Sequence, residues 1–310
     1  MEKTTPKHTI SLFGFFVALT GAILFSTKAV IVKKAFADVH ADALTLLTLR
    51  MMFSLPFYLV TAFVITSGKS NKRMTTKEWF SIIILGTSGY YLSSLLDFLG
   101  LQYISAGLER LILFLYPSFV VMINAIFLKE KITKVQVWAI LISYLGMVIA
   151  YFGELRLDTA NPNFYWGSLL IFLCAISYAI YIAGSGHIIP KVGASKFTAY
   201  ALLCSTAGVF LHYILRGNYE PLKNSMNLWW YGILLAIVAT VVPTFLLSLA
   251  LKKIGANNVA IISSIGPVST ILQAHIFLGE PIFTVQIIGT MLIITGVLLL
   301  SIKPKKLVFQ

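Results

Sequence analysis

The sequence predicts an all-α membrane protein of about ten transmembrane helices, arranged as two inverted five-helix repeats. Three observations predict this fold class. The composition is strongly apolar, a long segment of the first half recurs in the second half, and basic residues are concentrated in alternate loops. The first observation places the chain in a bilayer, the second divides it into halves, and the third orients those halves.

Composition separates this chain from soluble proteins. Hydrophobic residues make up 58% of its 310 residues, charged residues make up only 11%, and the mean hydropathy is +0.88. Apolar runs of about twenty residues recur along the chain, and each is long enough to cross a hydrocarbon core of about 30 Å. Because no water is available there to satisfy backbone groups, these runs are predicted to be helices.

The predicted spans follow one another with short connections. In the first repeat, residues 1–152, they cover residues 10–32, 43–66, 79–100, 106–128 and 135–151. In the second repeat, residues 153–310, they cover residues 166–185, 197–215, 228–251, 258–278 and 285–301. Lys3 and Lys7 precede the first span as they would precede a secretory signal, but its length and the many similar spans that follow favour an uncleaved helix.

Residues 101–151 and 251–301 align without a gap. Aliphatic matches prove little in so apolar a chain, but rarer residues also coincide. The matched pairs are Ala106 with Ala256, Pro117 with Pro267, Glu130 with Glu280, Gln136 with Gln286 and Gly146 with Gly296. Because each half has an odd number of spans, the second half is predicted to insert with the opposite orientation. Inverted repeats are typical of transporters that expose a midplane site to each side in turn, and duplication for helix packing alone is the alternative.

Basic residues in the loops orient the chain. With a cytoplasmic N-terminus, the inner segments carry Lys3, Lys7, Lys69, Lys72, Arg73, Lys77, Lys129, Lys131, Lys134, Lys191, Lys196, Lys252, Lys253, Lys303, Lys305 and Lys306. The outer segments carry only Lys33, Lys34, Arg156, Arg216 and Lys223. This bias predicts that both termini are cytoplasmic. It also explains the net charge of +13 by loops that face anionic lipid, so the lipid bilayer is a predicted partner and nucleic acid is not.

The duplicated segment carries two related motifs. The first half has SAGL at residues 105–108 and FLKE at residues 127–130, and the second half has ALKKIGA at residues 250–256 and FLGEP at residues 277–281. With Arg50 of the second span, these motifs resemble the EamA family of the drug/metabolite transporter superfamily. The resemblance implies ten helices, cytoplasmic termini and secondary transport of small metabolites, and with the short loops it favours a bacterial inner membrane. Lys28, Glu109 and Arg110 depart from the small or polar residues usual in that family.

Ionisable residues inside the spans are the primary candidates for a binding site, because a charge in hydrocarbon is costly. Tyr90 and Asp97 are predicted to share one face of the third span, and Glu109 and Tyr116 one face of the fourth. A cation beside carboxylates suits a zwitterionic solute such as an amino acid, with Lys28 attracting its carboxylate and Asp97 or Glu109 facing its ammonium group. The predicted substrate-binding residues are Lys28, Tyr90, Asp97, Glu109, Arg110, Tyr116, Tyr181 and Ser263.

A structural set of ion pairs is the alternative interpretation of these charges. Asp97 would then pair with Arg110, and Lys28 and Glu109 would extend towards the membrane surface. Arg50 is predicted to be a structural charge that caps a neighbouring helix. Tyr181 and Ser263 belong to milder polar stripes, for which helix packing is the alternative.

Pro117 and Pro267 occupy matching positions within predicted helices. Proline removes a backbone hydrogen bond and bends a helix, so the pair is predicted to serve gating, with a static kink as the alternative. No enzyme motif, cofactor site or ATP-binding loop is present in the sequence, so transport is expected to use a gradient or exchange, with a proton or a counter-solute as coupling partner. A non-transporting component of a lipid or glycan export system is the alternative function.

Overall fold

The computed structural model describes residues 11–67, 74–127, 129, 131–155, 162–220, 222 and 225–301, and within them the chain forms helices and no strand. The helices of the first half are α1 (Leu12–Val39), α2 (Ala43–Thr66), α3 (Thr76–Gly100), α4 (Ala106–Phe127) and α5 (Lys134–Leu155). Those of the second half are α6 (Phe164–Val192), α7 (Ala194–Arg216), α8 (Met226–Gly255), α9 (Ile261–Leu278) and α10 (Thr284–Ser301).

The predicted fold class is confirmed: the protein is an all-α membrane protein with two inverted five-helix repeats. Within the described residues, nine helices have the length and hydropathy to cross a membrane, and α10 is a slightly shorter apolar helix. Two helices are longer than predicted, because α1 continues to Val39 and α6 to Val192. The boundary between the halves at residues 152 and 153 stays a prediction.

Local sequence signals set the helix ends. The side chain of Asp42 accepts a hydrogen bond from the Thr45 amide at 2.9 Å, and that of Ser105 accepts one from the Leu108 amide at 3.0 Å, so both residues cap the first turn of a helix. Gly193, with φ of 90°, separates α6 from α7, and Gly255, with φ of 79°, separates α8 from α9. Both glycines permit tight links, because other residues rarely adopt these left-handed angles.

Four irregular segments interrupt the helices, and they repeat between the halves. A π-helical segment covers Thr87–Leu92 in α3, and another covers Ile237–Val241 in α8. A break at residues 114–115 divides α4, and a break at residues 264–265 divides α9. The two members of each pair are separated by the same number of residues as the aligned segments 101–151 and 251–301. The sequence did not predict the π-helical segments or the breaks, yet they follow the register of the repeat.

The position of the breaks corrects the interpretation of the paired prolines. Pro117 is the second residue of the new segment Tyr116–Phe127, and Pro267 is the second residue of Gly266–Leu278. Proline fits the first turn of a helix without loss of a hydrogen bond, because its nitrogen would have no partner there. The prolines therefore start new segments and do not bend continuous helices.

Helices α5 and α10 pack closely and symmetrically. A Cβ atom on Gly146 would lie 2.6 Å from the carbonyl oxygen of Gly289, and one on Gly296 would lie 2.6 Å from the carbonyl oxygen of Ala139. The aligned register relates Gly146 to Gly296 and Ala139 to Gly289, so the two contacts are equivalent by the internal repeat. Small residues let the two backbones approach, as is usual where helices associate in a membrane.

Candidate functional site

Three ionisable residues from three helices meet in the interior. Lys28 Nζ of α1 lies 2.6 Å from Asp97 Oδ2 of α3 and 3.4 Å from Glu109 Oε1 of α4. Lys28 is 8% exposed, Asp97 1% and Glu109 0%. We refer to these residues as the charge cluster. When all three are ionised, the cluster carries one net negative charge, because two carboxylates share one ammonium group.

Hydrogen bonds do not saturate the charge cluster. Asp97 Oδ1 and Glu109 Oε2 are buried and accept no hydrogen bond from a described residue outside the cluster, although the two carboxyl groups lie close enough to share a hydrogen bond when one of them carries a proton. A buried polar atom without a partner costs about 1–3 kcal/mol. A donor group that enters the site, such as the ammonium group of a solute, would therefore be stabilised by these two oxygens.

Packing of α1 against α8 places Lys28 in the cluster. A Cβ atom on Gly14 would lie 2.4 Å from Cγ2 of Ile254, and one on Gly21 would lie 3.1 Å from Cγ of Leu247. The glycines thus form a close helix contact with α8. Because the two helices approach so closely, the position of α1 is well determined two turns before Lys28.

Arg50 connects three helices next to the charge cluster. Its Nε donates to Thr240 Oγ1 of α8 at 2.9 Å, and its Nη1 donates to Ser94 Oγ of α3 at 3.3 Å. Its guanidinium carbon also lies 5.8 Å from the centroid of the Phe98 ring. Thr240 belongs to the π-helical segment of α8, so Arg50 ties α2 and α3 to that segment. This geometry agrees with a structural charge.

Four tyrosines of α3, α4 and α6 pack against one another, and we refer to Tyr90, Tyr116, Tyr178 and Tyr181 as the tyrosine group. The Tyr181 hydroxyl donates to the Tyr90 hydroxyl at 3.0 Å, and the rings of Tyr116 and Tyr178 are 5.0 Å apart. The rings of Tyr178 and Tyr181 are stacked at 5.9 Å. Gly89 makes room for this arrangement, because a Cβ atom there would lie 2.1 Å from the Tyr181 ring. The tyrosines form a wall with both apolar faces and hydroxyl groups.

Arg110 faces away from the charge cluster, although it follows Glu109 in sequence. It is 8% exposed, and its guanidinium carbon lies 5.8 Å from the centroid of the Phe25 ring. Its Nε atom has no hydrogen-bond partner, and no described carboxylate forms an ion pair with it. The expected structural pair of Asp97 with Arg110 is therefore not formed. Asp97 pairs with Lys28, because the rotation between adjacent residues of α4 turns Arg110 towards α1 and α9.

Two predicted site residues stand in different surroundings from those expected. Tyr116 is the first residue after the break in α4, so its spacing from Glu109 does not place the two on one continuous helix face. Ser263 ends the helical segment before the break in α9 and is half-buried. No hydrogen bond joins Ser263 to the charge cluster within the described residues.

Sequence reasoning missed two residues of this region. Tyr178 precedes Tyr181 by one helical turn, and that spacing was a sufficient signal for it. Thr240, the partner of Arg50, occupies the position in the second half that matches Tyr90 in the first. The register of the repeat would have identified it, because Tyr90 and Thr240 both lie in the π-helical segments.

Polar contacts join the connections at the end of the molecule where α4 begins, and those made by Glu280 cross between the halves. Glu280, in the connection from α9 to α10, accepts hydrogen bonds from the Ala106 amide at 3.0 Å and the Gly107 amide at 3.4 Å. Lys33 Nζ donates to the Ile104 carbonyl oxygen at 2.9 Å. A carboxylate at a helix N-terminus is stabilised by the free amides and the helix dipole. Glu130, the residue aligned with Glu280, lies outside the described residues.

Known proteins share this organisation. A sequence model of the EamA-like transporter family matches residues 12–152 and 165–302. The uncharacterized transporter YcbK of Bacillus subtilis is 29% identical over 303 residues, which cover 94% of this chain and 95% of the relative. An uncharacterized transporter of Archaeoglobus fulgidus is 28% identical over 236 residues, which cover 76% of this chain and 81% of the relative.

A solved crystal structure has the same fold, with a TM-score of 0.63 and 18% sequence identity. The similarity covers 92% of this chain and 97% of the solved chain. The family match covers both halves of the chain. This chain therefore belongs to the EamA-like transporter family.

Proposed function

We propose that this protein is a secondary transporter of a small zwitterionic metabolite, such as an amino acid, and that it works by alternating access. The observation that carries the proposal is the buried charge cluster, which joins α1 and α3 to the broken helix α4. Charges inside membrane proteins mark solute and ion pathways, because their burial is otherwise costly. Broken helices at the junction of inverted repeats form such sites in several transporter folds.

The unsaturated oxygens of the charge cluster suggest how the solute is held. Asp97 Oδ1 and Glu109 Oε2 are the acceptors for its ammonium group. Lys28, which already contacts both carboxylates, positions them for that role. The tyrosine group is carried partly by the same helices α3 and α4, and it would offer hydroxyl groups and ring faces to the remainder of the solute.

Coupling follows from the net negative charge of the cluster. A proton on Asp97 or Glu109 would remove one acceptor charge and weaken the hold on an ammonium group, so a proton gradient or exchange for a counter-solute would drive the cycle. We place the protein in a bacterial inner membrane with both termini in the cytoplasm, and the bias of basic residues towards alternate loops supports this orientation.

Uptake into proteoliposomes tests the proposal. Purified protein is reconstituted, and the uptake of radiolabelled amino acids is compared with uptake into vesicles without protein, with and without an imposed pH gradient. We expect saturable, protein-dependent flux of one or more amino acids that an unlabelled competitor reduces. If no amino acid or other small zwitterion in the panel enters faster than in empty vesicles, the proposal is wrong, and a component of a lipid or glycan export system becomes the better hypothesis.

A further inference from the structure

We propose that Arg110, together with the start of the second segment of α9, forms the binding site for the carboxylate group of the transported solute. This inference rests on the proposed function and specifies its substrate class. The solute would be an amino acid or a related monocarboxylate with an apolar or aromatic portion. Lys28, in this assignment, does not contact the solute carboxylate.

The first observation is that Arg110 is a buried cation without a counter-ion. Only 8% of the surface of Arg110 is exposed, and within the described residues its side chain forms no hydrogen bond and no ion pair. The face of Phe25, at 5.8 Å, stabilises it only in part. Because an unpaired buried charge is strongly destabilising, a guanidinium group in this position favours an anion that comes from outside the chain.

The second observation is the direction of the guanidinium group. It lies against Gly266, the first residue of the segment Gly266–Leu278. A Cβ atom on Gly266 would lie 2.8 Å from Arg110 Nη2 and 3.4 Å from Arg110 Nε. Any side chain at residue 266 would therefore displace the guanidinium group from the start of this helix.

The third observation is that this helix start has amide groups to offer. The break in α9 is closed by hydrogen bonds from the Ser264 and Ile265 amides to carbonyl oxygens three residues earlier, at 3.3 and 3.2 Å. A new helix then begins, and the first amides of a helix have no carbonyl partner within it. Pro267 has no amide hydrogen and the Ser269 amide donates to the Ile265 carbonyl oxygen at 2.9 Å, which leaves at most the amides of Gly266 and Val268. They carry the positive end of the helix dipole, so the guanidinium group and the amides present two positive partners to one anion.

The surrounding charges select a carboxylate over a phosphate. A guanidinium group binds a carboxylate through two parallel hydrogen bonds. Glu109, adjacent in sequence, belongs to the negatively charged cluster and would repel a doubly charged group such as phosphate. The rings of Tyr116 and Tyr178, which are 5.0 Å apart, lie within electrostatic range of Arg110, which suits a solute whose carboxylate is attached to an apolar or aromatic portion.

A pair of isosteric probes tests the charge requirement. The melting temperature of the purified protein in detergent is measured with phenylacetate, with its neutral isostere phenylacetamide, and with benzylphosphonate, at constant ionic strength. Because a ligand that binds the native state raises the melting temperature, we expect phenylacetate to stabilise the wild type by a few degrees and the other two compounds to have little effect. Equal stabilisation by phenylacetamide would overturn the carboxylate site. Stronger stabilisation by benzylphosphonate, or no effect of phenylacetate, would also overturn it.

Variants then locate the site. Arg110→Gln should lower the affinity for phenylacetate about tenfold or more, because a charge-assisted interaction is lost. Gly266→Ala should also lower it, because the new Cβ displaces the guanidinium group, and this variant decides the question if Arg110→Gln does not fold. The matched controls are Arg216→Gln, at an exposed helix end, and Gly186→Ala, where a Cβ meets open space. Unchanged phenylacetate affinity in a folded Arg110→Gln or Gly266→Ala protein would overturn the assignment.

Flux separates this inference from the proposed function. If proteoliposomes transport a solute and Arg110→Gln transports it with wild-type affinity, the carboxylate site is wrong and the transporter proposal stands. If phenylacetate binds in an Arg110-dependent manner but no solute in the panel is transported, the site stands and the transporter proposal fails.

Discussion

At the scale of single residues, one ammonium group compensates the charge of two carboxylates that are buried away from water. Lys28 contacts both Asp97 and Glu109, so removal of the lysine leaves two adjacent buried anions, whereas removal of one carboxylate leaves a balanced pair. The cost of breaking a buried pair arises mainly from the uncompensated charge that remains. The three residues are therefore not equivalent, and their variants should differ in stability.

We expect Lys28→Met to destabilise the protein by about 3–5 kcal/mol and Asp97→Asn to destabilise it much less. Lys34→Met is the matched control, because Lys34 and Asp38 form an ion pair whose side chains are 46% and 41% exposed and exposed pairs contribute only about 0–1 kcal/mol. Melting temperatures of the three purified variants give the comparison. A loss in Lys28→Met no greater than that in Lys34→Met would show that the charge cluster is not held together by Lys28.

Transport by Asp97→Asn tests coupling separately from stability. Asparagine retains an oxygen that accepts hydrogen bonds but cannot carry a proton, so the variant should still bind the solute while its uptake no longer responds to an imposed pH gradient. Binding and uptake are measured on the same purified protein. A wild-type response to the gradient would remove Asp97 from the coupling mechanism and leave Glu109 as the carrier.

The sequence indicated which charges lie inside the spans but not how they pair. Lys28, Asp97 and Glu109 were predicted to lie at a similar depth, because chain direction and span length determine depth. Pairing depends on the rotation of each helix about its axis, and adjacent residues on a helix differ by about 100°. That rotation is set by packing, as the contact of Gly14 and Gly21 of α1 with α8 illustrates for Lys28. The rotation of α4 turns Glu109, and not Arg110, towards Lys28.

At the scale of helices, the irregular segments within α3, α4, α8 and α9 are the parts of the molecule most suited to movement. The breaks in α4 and α9 occur at residues 114–115 and 264–265, and each is followed by a proline in the second position of the new segment. Proline disfavours a helical conformation in the residue before it and cannot join the preceding turn by a hydrogen bond. The paired prolines thus keep the two segments of each broken helix separate. The π-helical segments had no residue signature, so only the structure reveals them.

Replacing Pro117 or Pro267 with alanine should slow transport more than it weakens solute binding. Alanine has an amide group and favours a continuous helix, so the change would oppose a motion of one segment relative to the other. Solute affinity and transport rate are measured on each purified variant. Transport rates equal to those of the wild type in both variants would assign the prolines a static role.

Packing of α5 against α10 gives a prediction with an internal control. A Cβ atom on Gly296 would lie 2.1 Å from Ser143 Oγ, whereas one on Gly186 in α6 would meet open space. Gly296→Ala should therefore destabilise the protein by about 1–3 kcal/mol through overpacking. Gly186→Ala should leave it unchanged or stabilise it by up to about 1 kcal/mol. Melting temperatures decide, and equal values for the two variants would contradict the close contact.

At the scale of the whole molecule, the internal repeat relates features that were found independently. The aligned register relates the two breaks, the two π-helical segments and the two close contacts of α5 with α10. The set of buried charges is not symmetric, because Lys28, Asp97, Glu109 and Arg110 all belong to the first half. A symmetric frame with an asymmetric charge set is consistent with two halves that move against each other while the first half supplies the charged side chains of the proposed site. The sequence predicted the frame from the matched residues, since rare residues in one register are informative even in an apolar chain.

The orientation of this frame is tested by cysteine labelling. Cys174 and Cys204 are first replaced by serine, and single cysteines are introduced at residues 75, 193, 160 and 220. Thr75 precedes α3 and Gly193 lies between α6 and α7, so both follow an even number of crossings and should be labelled only from the cytoplasmic side. Residue 160, which is outside the described residues, and residue 220, between α7 and α8, follow an odd number and should react with an impermeant reagent in intact cells. The second half is inverted only if each half crosses the membrane five times. If residue 160 or 220 were labelled only after permeabilisation, a span would not cross the membrane, and the inverted arrangement would have to be abandoned.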